Sequence, residues 1–114
     1  MDALEEELAG WGKVALLETN GRVTGALARA AVGFVEEPDG SLLVAAGDEE
    51  AGWSLNLLAD SRCHVTIGER RAAAEAVELQ GADRARAIRE LILKYGTPSE
   101  RLGSGPAFRL VPTP

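Results

Sequence analysis

The residues of this chain best suited to binding an anion lie in one short turn, at positions 20–25 (NGRVTG). Arg22 brings a guanidinium, Thr24 a hydroxyl, and Gly21 and Gly25 permit the positive φ angles of a tight reversal. With the unpaired backbone amides expected at the end of a strand ladder, these groups form a set of donors that fits a phosphate. The simpler interpretation is a solvated turn with one charged residue.

Two apolar segments flank this turn and predict the strands of a β-hairpin that positions it. They are residues 14–17 and 27–35, which hold most of the β-favouring residues in this part of the chain. The hairpin is the element around which we expect the other elements to be arranged.

The rest of the chain alternates between helix and strand patterns. The predicted helices are residues 2–11, 53–59 and 83–95, the last ended by Gly96. The predicted strands are residues 41–46, 62–68, 72–79 and 106–111. Segment 72–79 is rich in alanine and would also suit a helix, so its assignment as a strand depends on its position after another strand.

This order predicts a single domain over residues 1–114, of the α+β class with an antiparallel sheet. A split β-barrel with flanking helices is the economical way to bury one face of such a sheet. The expected core residues are Val14, Leu16, Val32, Phe34, Val44, Val65 and Ile67. We also expect a homodimer, because the small residues at 30–33 permit close approach of a second copy.

Composition excludes several classes of protein. The net charge of −6 opposes binding to nucleic acid, so an anionic ligand must be held locally. One cysteine, Cys63, and one histidine, His64, cannot form an internal disulfide or a Cys/His zinc site, so we expect no metal. Because the sequence has neither an apolar run of membrane-spanning length nor a secretory leader pattern, we expect a cytoplasmic protein without a membrane partner.

Two stretches together resemble the deazaflavin-dependent nitroreductase and quinone reductase family of split-barrel proteins. They are GRVTG with the arginine that follows it, and AAGDEEAGWSLNLLADSRCHVTIG at residues 45–68. The family has a G-R-x-[ST]-G turn followed by an arginine, then a loop ending in W-x-x-N-[LI], then a V-x-V-x-I-G strand. The matching positions are Gly21, Arg22, Thr24, Gly25, Arg29, Gly47, Trp53, Asn56, Leu57, Val65 and Ile67.

The resemblance implies a reductase that uses the reduced deazaflavin F420 on a small-molecule substrate, such as a quinone, an enone or a nitro compound. It implies that the turn (Gly21, Arg22, Thr24 and Gly25) and Arg29 hold the cofactor phosphate. It further implies that Gly47, Trp53 and Asn56 shape the pocket of the ring. Trp53 also fits a core position, and Asn56 also fits a cap on a backbone group.

Hydride transfer to such a substrate also needs a proton donor, either a side chain or solvent. Tyr95 is the catalytic residue that we predict, and His64 is the other side chain of a suitable type. Tyr95 also fits the role of a core aromatic at a helix end, and His64 that of a solvent-facing strand residue.

Some features leave other functions open. Asp48, Glu49 and Glu50 occupy the second loop, where they would oppose an anionic cofactor if they faced the arginines. Where some family members have a lysine, this chain has Val23. The alternatives are a member of the fold without a redox cofactor, acting as a small-molecule binding protein or cofactor-free biosynthetic enzyme, and a binder of FMN or heme.

Overall fold

The computed structural model describes residues 12–47, 51–96 and 105–114, which form seven strands and two helices. The strands are β1 (Ala15–Asn20), β2 (Leu27–Val32), β3 (Val35–Glu36), β4 (Leu42–Ala45), β5 (Arg62–Ile67), β6 (Arg70–Leu79) and β7 (Ala107–Pro112). The helices are α1 (Gly52–Ala59) and α2 (Gly81–Tyr95), and neither is long and apolar enough to cross a bilayer. The predicted helix 2–11 and the acidic residues 48–50 lie outside the described residues.

All strand pairs are antiparallel, in the order β2-β1-β5-β6-β7-β4-β3. The two end strands, β2 and β3, are consecutive in the chain and are separated only by Gly33 and Phe34. Because each residue advances the chain by no more than about 3.8 Å, the two ends of the sheet must lie close together. The sheet is therefore curled, and the predicted antiparallel split barrel is confirmed.

The chain passes from one end of the sheet to the other at Gly33, so the single strand predicted over residues 27–35 is wrong. A Cβ at Gly33 would lie 3.1 Å from Cε2 of Tyr95. The Tyr95 hydroxyl accepts a hydrogen bond from the Phe34 N–H at 3.0 Å and donates to the Lys13 carbonyl oxygen at 2.9 Å. Tyr95 therefore ties the end of α2 to the β2–β3 crossing, and glycine leaves room for its ring.

The main core lies on the inner face of the curled sheet. In β1 the fully buried apolar residues are Ala15 and Leu17, whereas Val14 and Leu16 are only partly buried. The predicted phase of this strand is thus wrong by one position, which exchanges its two faces. The predicted core residues that are buried are Val32, Phe34, Val44 and Val65, and Ile67 packs against them.

The two helices cover different parts of the sheet. Helix α1 places Trp53 and Leu57 against the main core. Helix α2 packs outside β4 and β7, where Ala87 joins Leu43 and Ala107 in a second buried cluster.

The described helices leave bare the outer side of β2, β1, β5 and β6, which we call the open face. Its residues are Leu16, Glu18, Asn20, Leu27, Arg29, Ala31, Arg62, His64, Thr66, Arg71, Ala73 and Glu75.

Candidate functional site

The turn between β1 and β2 is held by hydrogen bonds within itself. The Gly21 N–H donates to the Ala26 carbonyl and the Gly25 N–H donates to the Gly21 carbonyl, both at 2.8 Å. The Thr24 hydroxyl oxygen accepts from the Ala26 N–H at 3.2 Å. Gly25 has a φ of 79°, and a Cβ at Gly21 would lie 2.7 Å from the Ala26 oxygen, so the turn requires both glycines. These amides are therefore not the unpaired donors that the sequence led us to expect.

Arg22 of this turn is oriented by α1. Its Nη1 donates to Oδ1 of Asn56 at 2.8 Å and to the Gly52 carbonyl at 3.4 Å, while its backbone N–H donates to the same Asn56 oxygen at 3.2 Å. Asn56 is only 4% exposed, and its Nδ2 donates to the Thr19 hydroxyl at 3.0 Å. Two predicted site residues are thus in direct contact, with Asn56 as the buried support of Arg22.

The turn forms one wall of an open groove of about 660 Å³. Gly21, Arg22 and Gly25 lie on this wall, and Arg62 and His64 of β5 lie on the other. Three of the predicted cofactor-binding residues therefore line one space, together with two side chains that the sequence analysis did not assign to the cofactor.

The two arginines of the groove differ in how their charges are compensated. Arg62 donates to Asp60 through Nε at 3.0 Å and Nη2 at 2.9 Å, and these bonds hold the pKa of Asp60 well below its usual value. Arg22, in contrast, forms side-chain hydrogen bonds only to neutral oxygens within the described parts of the chain. Its positive charge is available to an anionic ligand.

A second cavity, of about 420 Å³, lies on the open face beside the groove. Asn20, Arg62 and His64 line both spaces. From this shared wall the cavity extends past Glu18 to Arg71. Two ligands, one in the groove and one in the cavity, would therefore meet beside His64.

Glu18 lies at the centre of the open face, directly opposite Arg29 of β2 and His64 of β5. Its carboxylate accepts a hydrogen bond from Nε of Arg71 at 3.1 Å and lies 3.6 Å from Nε of Arg29. The Glu18 side chain is 8% exposed, whereas those of Arg29 and Arg71 are 63% and 54% exposed. Arg29, predicted to bind phosphate, is thus already paired with a buried acid.

Six predicted site residues do not line the groove: Thr24, Arg29 and Asn56, whose contacts are given above, and Gly47, Trp53 and Tyr95. Trp53 packs on Phe108 with ring centroids 6.1 Å apart. Gly47 is exposed, and a Cβ there would have no neighbour within 4 Å among the described residues. Tyr95 bonds to backbone at the β2–β3 crossing. Their functional roles remain predictions, and the contacts of Trp53 and Tyr95 are those of structural residues.

Sequence reasoning missed Glu18, Arg62 and Arg71. A signal for Glu18 was present, because a hairpin closed by the turn at 20–25 places this residue across from Arg29. No local pattern indicates that Arg71, 53 positions later in the chain, reaches the same carboxylate.

Most of the small residues on which the homodimer prediction relied pack within the chain. Ala30 packs against the main core, Val32 is buried and Gly33 lies against Tyr95. Of the 30–33 segment only Ala31 lies on the open face, so these small residues give little surface to a second copy.

A family model described as F420H(2)-dependent quinone reductase matches residues 4–101. Among solved structures, an F420-H2 dependent reductase (FDR-A) has a TM-score of 0.74 and 23% identity, with 86% of this chain and 93% of that one covered. The heme storage protein HutZ from Vibrio cholerae has a TM-score of 0.73 and 17% identity, with coverage of 96% and 87%. A chain described as a domain-swapped dimer has a TM-score of 0.73 and 21% identity, with coverage of 94% and 93%.

No curated protein matches the sequence. At such low identities the structural matches establish a shared fold and say nothing about ligands of this chain. The family model carries more weight for function because it spans most of the sequence.

Proposed function

The chain belongs to the F420H(2)-dependent quinone reductase family, and from this premise we propose that it transfers a hydride from F420H2 to a small quinone, enone or nitro compound. The groove beside the β1–β2 turn is the observation on which we base the position of the cofactor. There Arg22 offers a positive charge that no described carboxylate compensates.

The residues of the groove fit an anionic cofactor. Arg22 would bind the phosphate through charge-assisted hydrogen bonds, and Asn56 would keep the guanidinium in place. The glycines of the turn permit a close approach because they present no side chain. Arg29 does not line the groove, but it follows the turn on β2 and would add a second cation through its Nη groups while its Nε stays with Glu18.

When bound, F420H2 supplies a hydride, and a quinone that accepts it needs one further proton to become a hydroquinone. We assign the delivery of that proton to His64, because His64 lies in the wall shared by the groove and the cavity. Tyr95, predicted as the catalytic residue, is committed to backbone partners at the crossing, and we assign it a structural role.

Fluorescence titration of the purified protein with F420, and separately with FMN, tests the proposal. We expect saturable binding of F420, weakened about tenfold to a hundredfold by Arg22→Ala or Arg29→Ala, since each removes a charge-assisted bond of about 1.5–3 kcal/mol. Arg89→Ala, at an exposed position of α2, is the control and should change nothing. Absence of saturable F420 binding, or a preference for FMN, would contradict the assignment.

We also propose that the protein is a homodimer. Val77 and Val111 are large apolar residues exposed on the neighbouring strands β6 and β7, and neither lines the groove or the cavity. Exposed apolar surface of this kind is typical of an interface. Light scattering should give twice the chain mass of 12.0 kDa. A monomer mass at micromolar concentration would contradict this proposal without affecting the reductase assignment.

A further inference from the structure

We propose that the cavity on the open face is a subsite for the carboxylate of a small planar acceptor, and that Arg71 binds this carboxylate. The inference names a substrate class for the proposed reductase and rests on that function for its catalytic meaning. The binding step itself is measurable without F420. It follows from an unequal distribution of charge along the cavity.

The end of the cavity at Arg71 has an excess of positive charge. Glu18 offers one carboxylate to two guanidiniums, those of Arg29 and Arg71. Its bond to Arg71 uses Nε, and within the described residues neither Nη group of Arg71 donates to a protein acceptor. A guanidinium fixed at Nε presents its remaining donors in one plane, an arrangement that suits a carboxylate.

The end of the cavity beside the cofactor groove has the opposite character. Arg62 pairs there with Asp60 at 2.9 Å and lies directly across the strand pair from Glu75. Glu75 accepts a hydrogen bond from the Ser61 hydroxyl at 3.2 Å. Two carboxylates beside one guanidinium repel an anion, so an acidic ligand places its carboxylate at Arg71 and its uncharged part toward the groove.

Strand geometry sets the length of this ligand. Arg71 is paired with Thr66, which is two residues along β5 from His64. Two residues of a strand span about 7 Å. A ligand that places its carboxylate at Arg71 and its reducible group at His64 must bridge this distance, which is about the length of a fused two-ring system. The cavity volume of about 420 Å³ falls within the range of about 300–1,000 Å³ for small-molecule sites.

Two redox-inert probes of nearly equal shape, 2-naphthoate and 2-naphthamide, test the subsite by isothermal titration calorimetry of the full chain without F420. We expect the wild type to bind the naphthoate about tenfold or more tightly than the amide, and Arg71→Gln to remove this preference. The double variant Glu18→Gln with Arg71→Gln should behave in the same way. Because both partners are replaced, no buried carboxylate is left without its arginine. A loss of the preference for the naphthoate in this variant therefore cannot be attributed to misfolding.

Arg70→Gln is the matched control. Arg70 precedes Arg71 on β6, but it pairs with Glu36 at 3.5 Å and lines a different cavity. This variant should keep the full preference for the naphthoate.

Equal affinities for the two probes in the wild type, or an equal loss in Arg70→Gln, would overturn the subsite. A protein that binds F420 but fails this test keeps the proposed reductase function and loses the subsite. A protein that passes this test but binds no F420 keeps the subsite and loses the reductase assignment.

Discussion

Two clusters of the same composition lie in different halves of the sheet, and each joins one glutamate to two arginines. They are Glu18 with Arg29 and Arg71 on the open face, and Glu37 with Arg86 and Arg109 beside α2. In the first cluster the arginine side chains are 63% and 54% exposed, and in the second 35% and 34%. The two clusters therefore differ in what covers them.

The Glu37 cluster links separate elements of the fold. Arg86 comes from α2 and Arg109 from β7, and Glu37 directly follows β3. Arg86 also pairs with Glu90, one turn further along the helix. Because one carboxylate holds guanidiniums from α2 and from β7, this cluster stabilises the position of α2. The buried Nε of Arg109 has no hydrogen-bond partner within the described residues.

The Glu18 cluster links strands that the sheet already holds together, and one of its arginines, Arg71, lines the cavity. We infer that the difference in exposure leaves Arg71 accessible to a ligand, because no described helix packs above the Glu18 cluster. The same three residue types beside α2 instead hold that helix against the sheet.

The largest expected effect is on the free energy of unfolding, when one apolar residue is replaced in each half of the sheet. Leu43 is fully buried beneath α2, and Leu27 of the open face is 62% exposed. Leu43→Ala should lower the free energy of unfolding by about 2–5 kcal/mol, whereas Leu27→Ala should change it by less than about 0.5 kcal/mol. Urea denaturation measures both, and similar losses would show that the open face is covered in solution.

A second test asks what Tyr95 does at the end of α2. Tyr95→Phe leaves the Phe34 N–H without its acceptor, so the free energy of unfolding should fall by about 1–3 kcal/mol. The rate of F420H2 oxidation per folded molecule should not change. A large loss of rate at unchanged stability would instead restore Tyr95 as the catalytic residue.

Apart from the division of residues 27–35 into β2 and β3, the sequence was sufficient for the order of the described elements, because apolar spacing and turn residues are local signals. Gly96, with a φ of 89°, ends α2 as predicted. The phase of β1 was not predictable in this way, since residues 14–17 are all apolar and do not alternate. Its pairing with β5 sets the inner face, and that pairing is a tertiary contact.

The candidate site shows the same division. The contact between Arg22 and Asn56 agrees with a site composed from the family pattern, and the pairing of Glu18 with Arg29 follows from hairpin register. The break at Gly33 depends on Tyr95, whose hydroxyl meets Phe34 across 61 positions of the chain. Such long-range contacts leave no trace in local spacing.

Cys63 and His64 are neighbours on β5 that face opposite sides of the sheet, Cys63 in the main core and His64 on the open face. Burial raises the pKa of the Cys63 thiol to about 11, from an ordinary value of 9.0. The unfolded chain therefore loses this proton first, and the stability present below pH 9 is lost as the pH rises toward 11. The loss should be about 1 kcal/mol per pH unit in this window.

Thermal unfolding of the wild type and of Cys63→Ala across this pH range measures the effect. The variant should lack the part of the decline that belongs to the thiol. Native Cys63 should also resist thiol-modifying reagents at pH 8, and rapid modification there would show that the inner face is open to solvent.

The smallest expected effects compare the two clusters directly, by removing one charge from each. Glu37→Gln takes the carboxylate from Arg86 and Arg109 and should lower the Tm by a few degrees, with no change in the affinity for 2-naphthoate.

Glu18→Gln should have less effect on the Tm, because strand pairing holds its neighbours in place. It raises the local positive charge at Arg71, so naphthoate should bind about threefold more tightly at low ionic strength, with a gain that shrinks as salt is added. Equal losses of Tm in the two variants, with naphthoate affinity unchanged in both, would mean that both clusters act as clamps and that the open face is not specialised for a ligand.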